Sequence, residues 1–116
     1  MKKTINKTGV LFEVTDVLGR KIRTTKTYWK KIKEIKHTEF KLGISEVKKT
    51  LICPEEIRKS VTDTTVLVFV KKINKNAILV VVVKVLNGEG FLVTTYQTYK
   101  YKKKGESIWQ KQKVKK

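Results

Sequence analysis

The sequence predicts an α+β domain in which an N-terminal β-hairpin and two or three short helices pack on an antiparallel β-meander. Two observations support this class. The spacing of apolar residues becomes helical at Thr27, and after Asp63 runs of β-branched and aromatic residues alternate with Asn- and Gly-containing turns. The 116-residue length fits one domain, which we assign to residues 1–109, followed by a basic tail at 110–116.

The first elements are two short strands, at 10–15 and 21–25, and the turn residues between them are typical of a hairpin. A helix is then predicted, with Thr27 as its N-cap. Its apolar stripe, at spacings of four and three residues, consists of Tyr28, Ile32 and Ile35. The first half of the chain therefore begins as a hairpin followed by an amphipathic helix.

A second helix is predicted from Ser45 to Leu51 or Ile52, and a third helical turn over 54–58 begins at Pro54. The remaining residues predict three strands, at 66–70, 77–86 and 91–100. The strand at 77–86 is apolar on both alternations except at Lys84. This pattern predicts a central strand that is covered on both faces or lies at an interface.

Charge is the strongest compositional feature. The chain has 28 Lys+Arg against 10 Asp+Glu, a formal charge of +18, and the last 17 residues hold 8 Lys and 1 Glu. These 17 residues thus carry +7 and the rest of the chain +11. A surface of this kind attracts nucleic acid, acidic protein or anionic membrane, so charge alone does not separate a binding protein from an enzyme.

Several classes of protein are excluded by composition. One Cys rules out an internal disulfide, and one Cys with one His makes a zinc site implausible. The chain has only two Asp residues, too few for the clustered carboxylates of a two-metal nuclease, so no metal or cofactor is expected. No signal peptide follows the basic start, and the longest apolar run has 7 residues against the roughly 20 of a membrane span. We expect a cytoplasmic protein with no membrane partner.

The strand at 91–100 has an unusual row of hydroxyls. Alternation predicts one face formed by Leu92, Thr94, Tyr96, Thr98 and Lys100. Such a row could orient phosphate oxygens beside a cation, although the strand propensity of Thr and Tyr explains it equally well. Aromatic residues among the lysines could stack on unpaired bases, and these are Tyr28, Tyr96, Tyr99, Tyr101 and Trp109.

His37 is the only histidine, and its side chain is the only one whose ordinary pKa lies near neutral pH. A continuous helix would place it about 180° from the apolar stripe, so it is not predicted to be a core residue. A surface or structural role is the simpler alternative. The adjacent Glu55 and Glu56 follow Pro54, where acidic residues complement a helix N-terminus, and they make a poor acid/base pair.

The order of these motifs resembles the phage-type members of the barnase–EndoU–colicin–RelE nuclease superfamily. The resemblance runs from about Gly9 to Trp109. The motifs that carry it are Trp29-x-x-Ile32, His37 with Phe40, Leu51-x-x-Pro54-x-x-Ile57-Arg58-x-Ser60, Val93-Thr94-Thr95-Tyr96-x-Thr98 and Gly105-x-x-x-Trp109.

This resemblance implies a metal-independent endoribonuclease, often a toxin, that needs no cofactor. Carried over by position, the catalytic residues would be His37, Arg58, Thr94, Tyr96 and Thr98. Residues expected to bind the nucleic acid are Lys36, Ser60, Lys84, Tyr99, Lys100, Lys102 and Lys103. The chain lacks the second His of barnase-like members, and no Glu is clearly placed as a base. His37 would therefore act alone as acid or base, or a Lys or Tyr would take the other role.

The expected reaction is attack of a ribose 2′-OH on the neighbouring phosphate, which leaves a 2′,3′-cyclic phosphate. The expected partners are single-stranded RNA, tRNA or mRNA, and an acidic antitoxin or inhibitor protein. Two alternatives stay open: a non-catalytic RNA- or DNA-binding module, and a basic partner of an acidic protein without affinity for RNA. Formation of a cyclic phosphate end distinguishes the ribonuclease from both.

Overall fold

A seven-stranded sheet forms the centre of the protein. The computed structural model describes residues 9–32, 34, 43–101 and 105–111. In chain order, its principal elements are β1 (Val10–Thr15), β2 (Lys21–Thr25), α1 (Lys26–Lys31), α2 (Ile44–Ile52), β3 (Glu56–Lys59), β4 (Val66–Asn74), β5 (Ala77–Leu86), β6 (Glu89–Thr98) and β7 (Ser107–Gln110). The predicted α+β class is confirmed.

The strands lie in the order β1-β2-β6-β5-β4-β3-β7. Neighbouring strands are antiparallel except β2 and β6, which are parallel. β4, β5 and β6 form the predicted meander, and β5 is the middle strand of the sheet, as its apolar sequence indicated. β1 and β2 form the predicted hairpin, whose turn is fixed by Asp16 Oδ1 accepting hydrogen bonds from the Leu18 and Arg20 amides.

The main core lies between one face of the sheet and α2. Val47 and Leu51 of α2 are fully buried, as are Phe69 of β4 and Val81 of β5. Burying one such side chain stabilises the fold by about 1.5–3 kcal/mol. We call this side of the sheet the helix face and the other side, which α2 does not cover, the open face. The name does not mean exposed, since Val80 on that face is fully buried. The candidate site lies on the open face.

Both described helices begin earlier than predicted. The N-cap of α1 is Thr25, whose Oγ1 accepts a hydrogen bond from the Tyr28 amide at 3.1 Å, and not Thr27. α2 begins after Gly43, whose amide donates to Glu46 Oε1 at 3.3 Å, so Ser45 is inside the helix. In both cases the N-cap is the residue just before the helix, and its backbone is extended.

The predicted third helical turn over 54–58 is wrong. Residues 56–59 form β3, which pairs with β4 on one side and with β7 on the other. Ile57 is fully buried on the helix face, so pairing and burial outweigh the local preference of Pro54 for a helix start. Trp109 of β7 is opposite Ile57, so part of the basic C-terminal region docks on the domain.

No helix among the described residues is long and apolar enough to cross a membrane.

Candidate functional site

Strand register brings several predicted site residues onto the open face. Residues directly opposite in an antiparallel sheet share a face, and the partners run in one row from Arg58 through Val68 and Val82 to Thr94. The next row runs in the same way from Glu56 to Tyr96. Three strand spacings separate the ends of each row, or roughly 14 Å between backbones.

The hydroxyl row is present on the open face, but one of its predicted members is not. A β-bulge between Leu92 and Thr94 breaks the alternation, because Thr94 is opposite Val82 while Leu92 is opposite Val83. Leu92 therefore lies in the core, 3% exposed, and the assignment of Leu92 to the hydroxyl face is wrong. Thr94 and Tyr96 share the open face with Arg58.

Arg58 is held by two groups that the sequence pattern did not connect to it. Its guanidinium donates to Glu56 Oε2 at 2.5 Å and to the Gly105 carbonyl at 2.7 Å. Gln110 of β7 donates to the same Glu56 oxygen at 3.2 Å. The Arg58 and Glu56 side chains are only 14% and 10% exposed, so this ion pair is largely removed from water.

The pKa values in this cluster separate the roles that its members can take. Burial alone would raise the pKa of Glu56, but hydrogen bonds from Ser107 and Gln110 and the Arg58 charge outweigh it and lower the pKa. Glu56 is thus an anion at neutral pH. Burial raises the pKa of Tyr96, which keeps this phenol protonated and able to donate a hydrogen bond.

Tyr101 connects the two ends of the site. Burial raises the pKa of Tyr101, an effect that the Arg58 charge opposes and that Tyr96 and Glu56 reinforce. All three groups are therefore close enough to Tyr101 to act on it electrostatically. The sequence indicated Tyr101 only as a stacking residue, because nothing in it shows that the segment after β6 returns over the sheet.

Thr94 carries a further polar group on this face. Its Oγ1 is buried and has no hydrogen-bond partner among the residues that the structure describes. A buried hydroxyl without a partner costs free energy, which a ligand oxygen or amide could recover. The position of Thr94, in the same row as Arg58, makes its hydroxyl a suitable contact for a phosphate oxygen.

Other predicted site residues have local partners. Lys84 shares the open face but donates to Asp63 Oδ2 at 3.1 Å. Hydrogen bonds from Thr65 and then Lys84 lower the pKa of Asp63 from 3.8 to about 2, so this pair stays ionised. The Thr98 hydroxyl bonds to the backbone of Lys100, and that of Ser60 bonds to Thr62.

The remaining predicted residues are not brought into the cluster. Tyr99 is 80% exposed beyond the end of β6. His37, Lys36, Lys102 and Lys103 lie outside the described residues. Within the described ranges, no three His, Cys, Asp or Glu side chains gather where they could hold a metal ion.

Comparison with known proteins adds no relative: no family model, curated protein or solved structure matches this chain.

Proposed function

We propose that the protein is a metal-independent endoribonuclease of the toxin type, acting on single-stranded RNA, tRNA or mRNA. The observation that carries this proposal is the common open face of Arg58, which belongs to one predicted motif, and of Thr94 and Tyr96, which belong to another. The +18 charge of the chain supports an anionic polymer as substrate. A cytoplasmic location belongs to the same proposal.

The reaction is a transesterification. A base removes the proton of the ribose 2′-OH, the 2′-oxygen attacks phosphorus, and the P–O5′ bond breaks as an acid protonates the leaving oxygen. We assign His37 to one of these proton transfers, a role typically worth about 10²- to 10⁴-fold in rate. Tyr96 stays protonated at neutral pH, so its phenol suits the acid or a hydrogen-bond donor and not the base.

Arg58 and the hydroxyls provide charge stabilisation. Negative charge grows on the non-bridging oxygens as the phosphorane forms, and fixed donors that face it lower the barrier without reorganisation. Glu56 and the Gly105 carbonyl hold the Arg58 guanidinium in one orientation, so its donors are preorganised. Thr94 adds a hydroxyl at the other end of the row, roughly 14 Å from Arg58 between backbones, where it would contact a neighbouring phosphate of the RNA strand.

A non-catalytic RNA-binding module is the second candidate, and one observation favours it. Arg58, the residue assigned to charge stabilisation, is already paired with Glu56, whereas the +18 charge of the chain would attract RNA without it. In either case, the basic surface also suits an acidic inhibitor or antitoxin. Such a protein would compete with RNA for the open face, and its binding would fall with added salt.

The test is incubation of the protein with total RNA in excess chelator, followed by analysis of the new ends. We expect 2′,3′-cyclic phosphates from the parent protein. His37→Ala and Tyr96→Phe should lose cleavage and retain RNA binding. Lys75→Gln, at an exposed residue of the β4–β5 turn, should cleave normally and serves as the charge-matched control for Arg58→Gln. Full activity of both His37→Ala and Tyr96→Phe would refute the site. RNA binding without new ends would favour the binding module.

A further inference from the structure

A groove of about 900 Å³ opens beside the candidate site. Its lining includes Glu13, Arg23, Tyr28, Lys84, Phe91 and Val93, and we call it the β2–β6 groove. Its volume is within the range of roughly 300–1,000 Å³ that is common for small-ligand sites. Strand partners place Arg23, Phe91 and Lys84 on the open face together with Arg58 and Tyr96.

The groove combines an aromatic ring with a flat cation. The Arg23 guanidinium carbon lies 4.8 Å from the centre of the Phe91 ring, and Glu89 holds the guanidinium at 2.9 Å. Tyr28 extends from α1 and donates its hydroxyl hydrogen to the Val93 carbonyl at 2.8 Å, which fixes its ring at the side of the groove. Aromatic rings and guanidinium planes are the groups on which unpaired RNA bases stack.

The groove is continuous with the proposed reaction site along β6. Val93 lines the groove, and the next residue, Thr94, belongs to the row that ends at Arg58. Lys84, opposite Phe91, lines the groove and lies two residues along β5 from Val82, which belongs to the row between Arg58 and Thr94. A single strand whose phosphate lies at Thr94 would therefore bring a neighbouring base to Phe91.

The charge of the whole chain favours RNA as the occupant, although the groove lining itself contains Glu13 beside its two cations. The chain carries +18. At the groove, the Arg23 side chain is 35% exposed and the Lys84 side chain is 39% exposed. Their carboxylate partners, Glu89 and Asp63, are also exposed. Exposed ion pairs contribute little stability, so a phosphate can replace the carboxylate at either cation.

We infer that the β2–β6 groove is a base-binding subsite that takes one unpaired RNA nucleotide next to the cleaved bond. This inference rests on the proposed ribonuclease function and adds to it. Phe91 and Arg23 form the stacking platform, and Lys84 and Arg23 bind the flanking phosphates. The protein is accordingly selective for single-stranded RNA at this position, because a paired base cannot enter the groove.

The test uses short single-stranded RNAs in which each nucleotide in turn is replaced by an abasic ribose. Binding is measured with the His37→Ala protein, so that RNA stays intact. At one position, loss of the base should weaken binding about 5- to 150-fold, the factor that corresponds to one base–aromatic stack. In Phe91→Leu the same abasic position should cost less than about threefold, and Phe91→Tyr should restore the full effect.

Arg23→Lys provides an independent test, because it keeps the positive charge and removes the planar guanidinium on which a base could stack. It should also reduce the abasic effect, whereas the matched Arg20→Lys should not. An equal abasic cost in the parent, Phe91→Leu and Arg23→Lys proteins would overturn the subsite. Failure of the ribonuclease proposal is a separate result: no cyclic ends would form, while the coupling between Phe91 and the abasic position would still be measured in binding.

Discussion

Replacement of Glu56 by Gln tests how Arg58 is held on the open face. One oxygen of the carboxylate accepts hydrogen bonds from Arg58 at 2.5 Å and from Gln110 at 3.2 Å. The Gln side chain has nearly the same shape but no charge, and its NH₂ group cannot accept a hydrogen bond. Because Glu56→Gln preserves the shape of the side chain, its effect reports the loss of the charge and of one hydrogen-bond acceptor without a cavity.

The size of the effect follows from burial. The Arg58 and Glu56 side chains are 14% and 10% exposed, so water can replace little of the hydrogen bonding that Glu56→Gln removes. A hydrogen bond to a charged group contributes about 1.5–3 kcal/mol, and we expect Glu56→Gln to lower the free energy of unfolding by that amount. Glu56→Ala leaves the Arg58 charge without its carboxylate and should cost about 3–5 kcal/mol.

Urea unfolding at neutral pH measures both values. Glu55→Gln is the matched control, because it makes the same change of charge at the adjacent, exposed residue, and it should stay within about 0.5 kcal/mol of the parent. RNA cleavage should fall in Glu56→Gln and not in Glu55→Gln. Equal unfolding free energies and equal cleavage rates for the two variants would refute the positioning of Arg58 by Glu56.

Three further outcomes follow from the structure. Because the pKa of Glu56 is lowered in the folded protein, the carboxylate stabilises the fold fully above the ordinary pKa of 4.5. This contribution is lost as the pH falls through the lowered pKa, so the difference in unfolding free energy between the parent and Glu56→Gln should narrow in acid. Gly105→Ala should destabilise the protein by more than about 2 kcal/mol in thermal unfolding, because φ is +79° and the new Cβ would overlap the Lys59 carbonyl oxygen. Gly19→Ala, with φ +87° and open space around it, measures the backbone part of that cost alone. Thr94→Val should raise the unfolding free energy by about 1 kcal/mol, since it removes a buried hydroxyl without a described partner, and should at the same time slow RNA cleavage.

Much of the fold could be predicted because local patterns and tertiary packing agree there. The hairpin at 10–15 and 21–25 has both strand-forming residues and a turn in which Asp16 bonds its own loop. The meander has a middle strand so apolar that only a central position would bury it. In these regions the sequence pattern and the final burial require the same structure.

The sheet beyond the meander could not be predicted, because it depends on contacts distant in sequence. β3 is four residues long, and its start resembles a helix N-terminus until β4 and β7 pair with it. The parallel pairing of β2 with β6 joins segments far apart in the chain, such as Arg23 with Phe91. The bulge that moves Leu92 into the core also leaves no mark in a strand of good β-formers.

The candidate site, like the sheet, was only partly predictable from the sequence. Arg58 and Tyr96 were predicted as site residues, and register places both on the open face. Glu56 was missed, because the sequence around Pro54 predicts a helical turn. In a strand, the two-residue separation of Glu56 and Arg58 puts their opposite charges on one face, so the site depends on the pairing of β3.

End-group analysis of RNA cleaved in excess chelator tests the central proposal most directly. The parent protein and Lys75→Gln should both produce 2′,3′-cyclic phosphate ends, while Arg58→Gln should produce them at a rate reduced at least about tenfold, as expected for loss of a preorganised donor. Intact RNA in the parent reaction, or equal rates for Arg58→Gln and Lys75→Gln, would contradict the account.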